Sequence, residues 1–192
     1  MDHKDIFVKY YEINKWGNKE SVSGSGSTLL ATQYLIPDLE LLLKKYNIKS
    51  MLDIPCGDFN WMSKVNLSNI HYHGADIVDN LISENQEKYP DHKFSILDIT
   101  TDDLPKVDLI FCRDCLFHLP NEMIELAINN IKISGSKYLL TTSFPETNVN
   151  KNIKVGQWRP INLEISPFFL NKIDIICEKN YKDKSMILVK VN

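Results

Sequence analysis

From Ser50 onward, short apolar runs alternate with polar or amphipathic stretches, and that alternation restricts the chain to a layered α/β architecture. Ser50–Ile54, His71–Asp76, Lys93–Asp98, Asp108–Cys112 and Lys137–Ser143 read as strands. Asn80–Lys88 and Asn121–Ile133 read as helices, the second with Met123, Leu126, Ala127 and Asn130 at helical spacing, and a short helix is expected near Trp61–Val65. Strands separated by helices call for right-handed crossovers and a mainly parallel sheet covered on both faces. The end of the chain breaks the pattern. Ile173–Glu178 and Ser185–Val191 flank the turn-rich EKNYKDK segment, where no helix fits, so an antiparallel hairpin is expected. The expectation is a seven-stranded, mainly parallel sheet with an antiparallel C-terminal strand and helices on both faces.

The 192 residues suit a single domain, with 1–49 as an N-terminal helical or lid segment and 50–192 as the core. In the first part, Ser21–Ser27 (SVSGSGS) reads as a loop rich in backbone donors. Thr28 can cap a helix whose stripe is Leu29, Leu30, Tyr34, Leu35, Leu39, Leu42 and Leu43, kinked or divided at Pro37. The net charge is −3 with Lys and Arg scattered, so no basic stripe points to nucleic acid. No apolar run approaches the roughly 18–20 residues that span a bilayer, and MDHKDIFVKYYEINKW lacks a signal-peptide core. No membrane insertion is expected. Cys112 and Cys115 form a CxxC with no second pair nearby, which reads as pocket-lining or buried thiols in a reducing cytoplasm. His71 and His73 form an isolated strand pair, and no metal site is expected.

Open α/β sheets bind ligands outside the carboxyl ends of their strands, and acidic residues fall at three of those ends. The first strand runs into LDIPCGDFNW, Leu52–Trp61. The segment resembles the first motif of class I S-adenosylmethionine-dependent methyltransferases, an acidic residue followed by a glycine-rich turn. Asp53 takes the acidic position and Gly57 the central glycine, whereas Pro55 and Phe59 stand where the family often has glycine. Gly57 allows close backbone approach to a ligand, and Asp53 can hold turn amides or the cofactor's ammonium. The second strand ends in HGADIV, with Asp76 about 20 residues past the turn, where an acid can bind ribose hydroxyls; Ile77 follows it. The third ends in FSILDIT, and the resemblance gives Asp98 the adenine amino group and Ile99 the apolar face of the ring. Each aspartate alone reads more readily as a solvated strand-end residue; it is their succession that points to S-adenosyl-L-methionine. A dinucleotide-binding Rossmann protein would carry G-x-G-x-x-G, which IPCGDFNW does not. The architecture implied is therefore Rossmann-like.

The fourth strand ends in FCRDCLFHL, Phe111–Leu119. In the family the corresponding segment passes beneath the sulfonium and lines the acceptor pocket. Arg113, Asp114 and His118 become the candidate catalytic groups, and Arg113 also a cofactor contact; an Arg–Asp surface pair and a turn-capping histidine are the plain structural alternatives. The connection SFPETNVNKNIKVGQWRPINLEISPFF is long, and Trp158 and Phe168 argue for an ordered lid with Arg159 facing the pocket. WGNKESVSGSGST could close the site from the other side, Trp16, Ser25 and Thr28 serving the cofactor carboxylate.

Taken together, WGNKESVSGSGST, DIPCGDFNW and WRPINLE resemble a small bacterial subgroup found with surface (capsule) polysaccharide modification enzymes, including those that make methyl phosphoramidate. The resemblance implies methyl transfer to a small acceptor, such as an oxygen of a phosphoramidate or a sugar, with an acceptor nitrogen equally open. A hydroxyl would need a base such as Asp114 or His118, whereas an anionic phosphoryl oxygen would need only orientation by Arg113 and Arg159. A non-catalytic partner subunit built on a cofactor fold and an NAD-dependent oxidoreductase remain alternatives on sequence alone.

Overall fold

The structure is a computed structural model that describes residues 2–191. Seven strands, β1 (Ser50–Asp53), β2 (His71–Asp76), β3 (Lys93–Ile96), β4 (Leu109–Cys112), β5 (Tyr138–Ser143), β6 (Lys172–Cys177) and β7 (Ser185–Lys190), form one sheet in the order β3-β2-β1-β4-β5-β7-β6, and the chain divides into two compact units, Met1–Asp98 and Ile99–Asn192.

The first unit opens with α1 (His3–Glu12), which has no buried residue. Polar tethers join it to the rest of the unit: His3 to Asp98 at 2.6 Å, Lys4 to Asp79 at 2.8 Å and Tyr11 to Glu84 at 2.5 Å. Next come α2 (Leu29–Thr32) and α3 (Leu35–Lys45), where Leu35, Leu39, Leu42 and Leu43 form the buried stripe. The division expected at Pro37 falls earlier, between Thr32 and Leu35. Pro37 then lies in the first turn of α3, where an amide has no helical partner to lose. β1 (Ser50–Asp53) pairs in parallel with β2 (His71–Asp76), and β2 with β3 (Lys93–Ile96). α4 (Asp79–Lys88) lies between β2 and β3 in sequence. The helix expected near Trp61–Val65 is a single 3-10 turn, Met62–Lys64.

An aromatic cluster fills this unit. Phe59 is the hub, its ring centroid 5.0 Å from Tyr72, 4.9 Å from Tyr89, 5.1 Å from His92 and 5.4 Å from Phe94. A Cβ on Gly74 would meet the Phe94 ring at 2.6 Å, so β2 carries glycine where the cluster crosses it.

The second unit contains β4 (Leu109–Cys112), α5 (Asn121–Ile133), β5 (Tyr138–Ser143), β6 (Lys172–Cys177) and β7 (Ser185–Lys190). All four residues of β4 are buried, as expected of an interior parallel strand. β4 pairs in parallel with β5, whereas β5–β7 and β6–β7 are antiparallel. Ile124, Ala127, Ile128 and Ile131 make the buried face of α5.

The connection between β5 and β6 has no regular element, and side chains satisfy its backbone instead. Asn150 donates to the carbonyls of Asn162 and Ser166, each at 2.8 Å, and Asn162 donates to those of Pro145 and Thr147, each at 3.1 Å. The expected order of this segment therefore comes from asparagine side chains as much as from the buried Phe168; Trp158 is exposed.

Candidate active site

In the first unit β1 delivers Asp53 to its carboxyl end and the chain turns at once. Gly57 has φ +54° and Phe59 φ +56°, both in the left-handed region. Glycine adopts it freely; phenylalanine does so at a cost of about 1–2 kcal/mol. Burial of the Phe59 ring among four aromatic neighbours offsets that cost, by roughly 1.5–3 kcal/mol for the side chain. This is why phenylalanine can stand at a position where the family often has glycine.

The turn is clamped from both sides. The Gly57 amide donates to Asp76 at 3.2 Å, and Asn85 donates to the Gly57 carbonyl at 2.7 Å. From the other side, Asp58 accepts from the Ser21 hydroxyl and the Val22 amide, each at 3.0 Å, while its own amide donates to Ser23 Oγ at 3.3 Å. A Cβ on Gly57 would collide with Ser23 Oγ. The serine-glycine loop thus lies directly on the turn, as an ordered clasp. Trp16 packs on Gly24, where a Cβ would stand 2.9 Å from the Trp16 Cβ, and meets Tyr10 edge-on at 5.7 Å. Ser25 is exposed in the 3-10 turn Ser25–Ser27. The Thr28 hydroxyl caps α2, accepting from the Ala31 amide at 3.2 Å and donating to the Ser25 carbonyl at 3.0 Å, so it is committed locally.

The three carboxylates sit in different environments. Asp53 is buried and accepts from the Tyr72 hydroxyl at 2.7 Å. Burial, with Asp53 and Cys56 alongside, pushes the Tyr72 phenol well up. Asp76 is buried too; desolvation raises its carboxyl to about 6, although the amides of Val78, Gly57 and Ile77 pull the other way. Asp98 is half-buried and accepts from His3. That bond links α1 to the end of β3, 95 residues away. Pro55 and Ile77 are half-buried beside these groups in sequence, and the buried Cys56 thiol is pushed up by desolvation, in keeping with an inert cysteine.

In the second unit, Ile99 is buried and its carbonyl accepts from Asn130 at 3.0 Å. β4 delivers Arg113 and Asp114 to its carboxyl end, where Asp114 adopts φ +54°. Arg113 points inward. Its Nε and Nη2 donate to Glu178 at 3.2 and 2.6 Å, and its Nη1 lies 3.2 Å from Asp114. Lys184 donates to Asp114 at 2.7 Å and stands 3.3 Å from Glu178. Burial raises the Asp114 carboxyl, but Arg113, Lys184 and Thr142 outweigh it and hold the group below the ordinary carboxylate value. Sequence reasoning reached Arg113 and Asp114 but missed Glu178 and Lys184, which flank the β6–β7 turn.

His118 donates from Nδ1 to the Gln157 carbonyl at 3.0 Å. Burial lowers its pKa, so the neutral ring carries its lone pair on Nε2. Arg159 differs from the expectation of a residue facing the pocket. It is buried, and its guanidinium donates to the carbonyls of Lys151 and Leu116, each at 3.2 Å, and to Asn121 Oδ1 at 3.0 Å. It pins the connection onto the segment that carries His118. Cys112 is buried and Cys115 half-buried, and neither is in a disulfide. Among the described residues no group of three or more His, Cys, Asp or Glu could hold a metal ion, and no helix is long and apolar enough to cross a membrane.

The strand order, with β7 antiparallel between β5 and β6, is the Rossmann-like fold of class I S-adenosylmethionine-dependent methyltransferases. Magnesium protoporphyrin IX methyltransferase of Synechocystis PCC 6803, solved with bound S-adenosylmethionine, superposes with a TM-score of 0.68 at 15% identity over 99% of this chain and 98% of that one. A protein of Invertebrate iridescent virus 6 named as a methyltransferase (235L) is 25% identical over 185 residues, 88% of this chain and 68% of the viral one. Phosphoethanolamine N-methyltransferase 1 of Zea mays is 25% identical over 122 residues, 58% of this chain but only 24% of the maize enzyme. No protein-family model matches the chain.

Proposed function

We propose that the chain is an S-adenosylmethionine-dependent methyltransferase acting on a small acceptor. The observation that carries this reading is the placement of Asp53, Asp76 and Asp98 at the carboxyl ends of three consecutive strands, around a turn that Gly57 brings close to the serine-glycine loop. The donor set suits the cofactor: Asp53 for the ammonium, Asp76 for the ribose diol and Asp98 for the adenine amino group, with Ile77 and Ile99 as apolar neighbours. Pro55 shapes the turn, and Trp16, Ser25 and the backbone around Thr28 face the amino-acid end. S-adenosylmethionine, when bound, supplies a methyl group already activated by the sulfonium, so positioning and water exclusion account for much of the rate.

On this reading Arg113 and Arg159 are internal braces of the acceptor site, the first for Asp114 and the second for His118. For a hydroxyl acceptor, His118 takes the proton at Nε2 while the acceptor oxygen forms its bond to the methyl carbon; the sulfur keeps the electron pair of the broken bond. The resemblance to the surface-polysaccharide subgroup supports a sugar hydroxyl or a phosphoramidate oxygen as acceptor. The maize relative, by its name, acts on an amine.

The test is calorimetric titration of the chain with S-adenosylhomocysteine, with NADH as control. Saturable binding of the first alone, lost in Asp76→Ala, is the expected result. A folded chain that binds neither compound, or only NADH, would refute the proposal.

A further inference from the structure

Four charged side chains meet at the end of β4, and only one reaches the surface to any extent. Arg113 is 3% exposed, Glu178 2% and Lys184 6%, against 22% for Asp114. The two cations are engaged from within: Glu178 takes the Nε–Nη2 edge of the Arg113 guanidinium, and Lys184 lies between Asp114 and Glu178 with the Tyr181 ring 4.6 Å from its ammonium. Two positive and two negative charges leave the cluster formally neutral.

Lone pairs can be counted on the exposed member. A carboxylate has about four acceptor positions. Oδ2 of Asp114 receives Lys184 and faces Arg113, and Oδ1 receives the Thr142 hydroxyl at 3.1 Å. The Asp114 amide donates back to Thr142 at 2.9 Å, fixing the side chain against β5. One position on Oδ1 is left without a donor among the described residues. An incoming anion would meet this carboxylate first, and to reach Arg113 it would have to break a buried ion pair, at a cost of several kcal/mol.

We infer that Asp114 is the acceptor-recognition group and that the methyl acceptor is a polyhydroxyl or amine compound: a hydroxyl beside the reacting one, or an N–H of the amine, donates a hydrogen bond to Asp114 Oδ1, in place of an anionic phosphoryl oxygen. Glu178 and Lys184 are positioning residues: Glu178 neutralises Arg113, and Lys184 aims Asp114 and keeps it ionised. The inference rests on the proposed methyl transfer, and it selects the hydroxyl or amine among the acceptors named above.

The experiment is carboxyl-carbon NMR of the full chain with labelled aspartates and excess S-adenosylhomocysteine, titrated separately with glycerol, ethylammonium and inorganic phosphate. Saturable movement of the Asp114 signal with glycerol identifies a hydroxyl acceptor and with ethylammonium an amine; phosphate should leave the signal in place. Glu178→Gln should uncover the cations and tighten phosphate binding by at least about tenfold. Lys184→Met should raise the titration midpoint of Asp114, which a purely structural role would leave unmoved. Saturable phosphate binding at Asp114 in the native chain, or no response to either donor probe, would overturn the inference. If Glu178→Gln does not fold, the native titrations decide it alone. Calorimetry with S-adenosylhomocysteine separately reports whether the cofactor reading holds.

Discussion

Asp76 and Asp114 both lie within two residues of the last apolar residue of a strand, yet their surroundings push them in opposite directions. Asp76 is held by backbone amides of its own turn and of the Gly57 turn, and burial lifts its carboxyl to about 6. Asp114 is held by two cations and falls below the ordinary carboxylate value. Amide clamps are local and shape the backbone; cations arrive from elsewhere and fix the charge. A strand-end aspartate is thus recognisable from sequence, while its electrostatic character depends on what the tertiary fold brings to it.

The sharpest way to break this contrast is to remove a distant partner. Glu178→Ala leaves Arg113 and Lys184 buried with a single carboxylate between them. Uncompensated buried charge costs about 3–5 kcal/mol, and urea unfolding should show a loss of that size. Replacing Arg113 and Glu178 together by Met and Leu should recover most of it, because the desolvation penalty goes with the charges. A loss below about 1 kcal/mol for Glu178→Ala would place the pair on the surface, contrary to the geometry.

The next test separates the two aspartates by pH. The folded chain holds the Asp76 proton more tightly than the unfolded one, so between about 4 and 6 it binds more protons. Its contribution to stability is present below the unfolded value of 3.8 and is lost as pH rises through about 6. A shift of about two units corresponds to about 3 kcal/mol. Asp76→Asn should remove that pH dependence from the unfolding of the ligand-free chain. Ribose hydroxyls prefer the ionised carboxylate, so affinity for S-adenosylhomocysteine should rise over the same interval, opposite in sign to stability. Parallel slopes would mean that Asp76 does not meet the ribose.

How much can be read from the chain follows the same division. The strands end within two residues of where their apolar runs end, because the hydrophobic period and the turn residues are local signals. Asp53, Asp76 and Asp98 are visible as strand-end acids for that reason. Glu178 meets Arg113 across 65 residues and Lys184 meets Asp114 across 70, so neither pairing leaves a trace in spacing. Their only signal is an acid and a base at the two ends of the turn segment EKNYKDK, a common surface pattern. Arg159 misleads for a related reason: a cation beside an exposed tryptophan looks like a ligand group, while its three acceptors include a carbonyl 43 residues away.

In the acceptor half, His118→Ala should lower kcat by about 100-fold for a hydroxyl acceptor, with the affinity for S-adenosylhomocysteine unchanged. A neutral amine needs less help in losing its proton, and there the loss should be smaller. Gln157 supplies a backbone carbonyl, so its side chain is not what orients the ring. Substitution at Arg159, which pins the neighbouring connection, should reproduce part of the loss.

The smallest effect belongs to α1, which buries no residue and is tethered by polar pairs that solvent still reaches. Such pairs contribute about 0–1 kcal/mol each. His3→Ala should therefore leave global stability nearly unchanged and speed amide exchange across His3–Glu12 by roughly fivefold. Because His3 and the adenine amino group would compete for the same Asp98 carboxylate, the variant should also bind S-adenosylhomocysteine slightly more tightly, by a factor of about two or three. Weaker binding would instead make α1 part of the cofactor site, with His3 and the ligand sharing Asp98 through different lone pairs, and would bring a helix 95 residues distant in sequence into the same class as the Glu178–Lys184 hairpin.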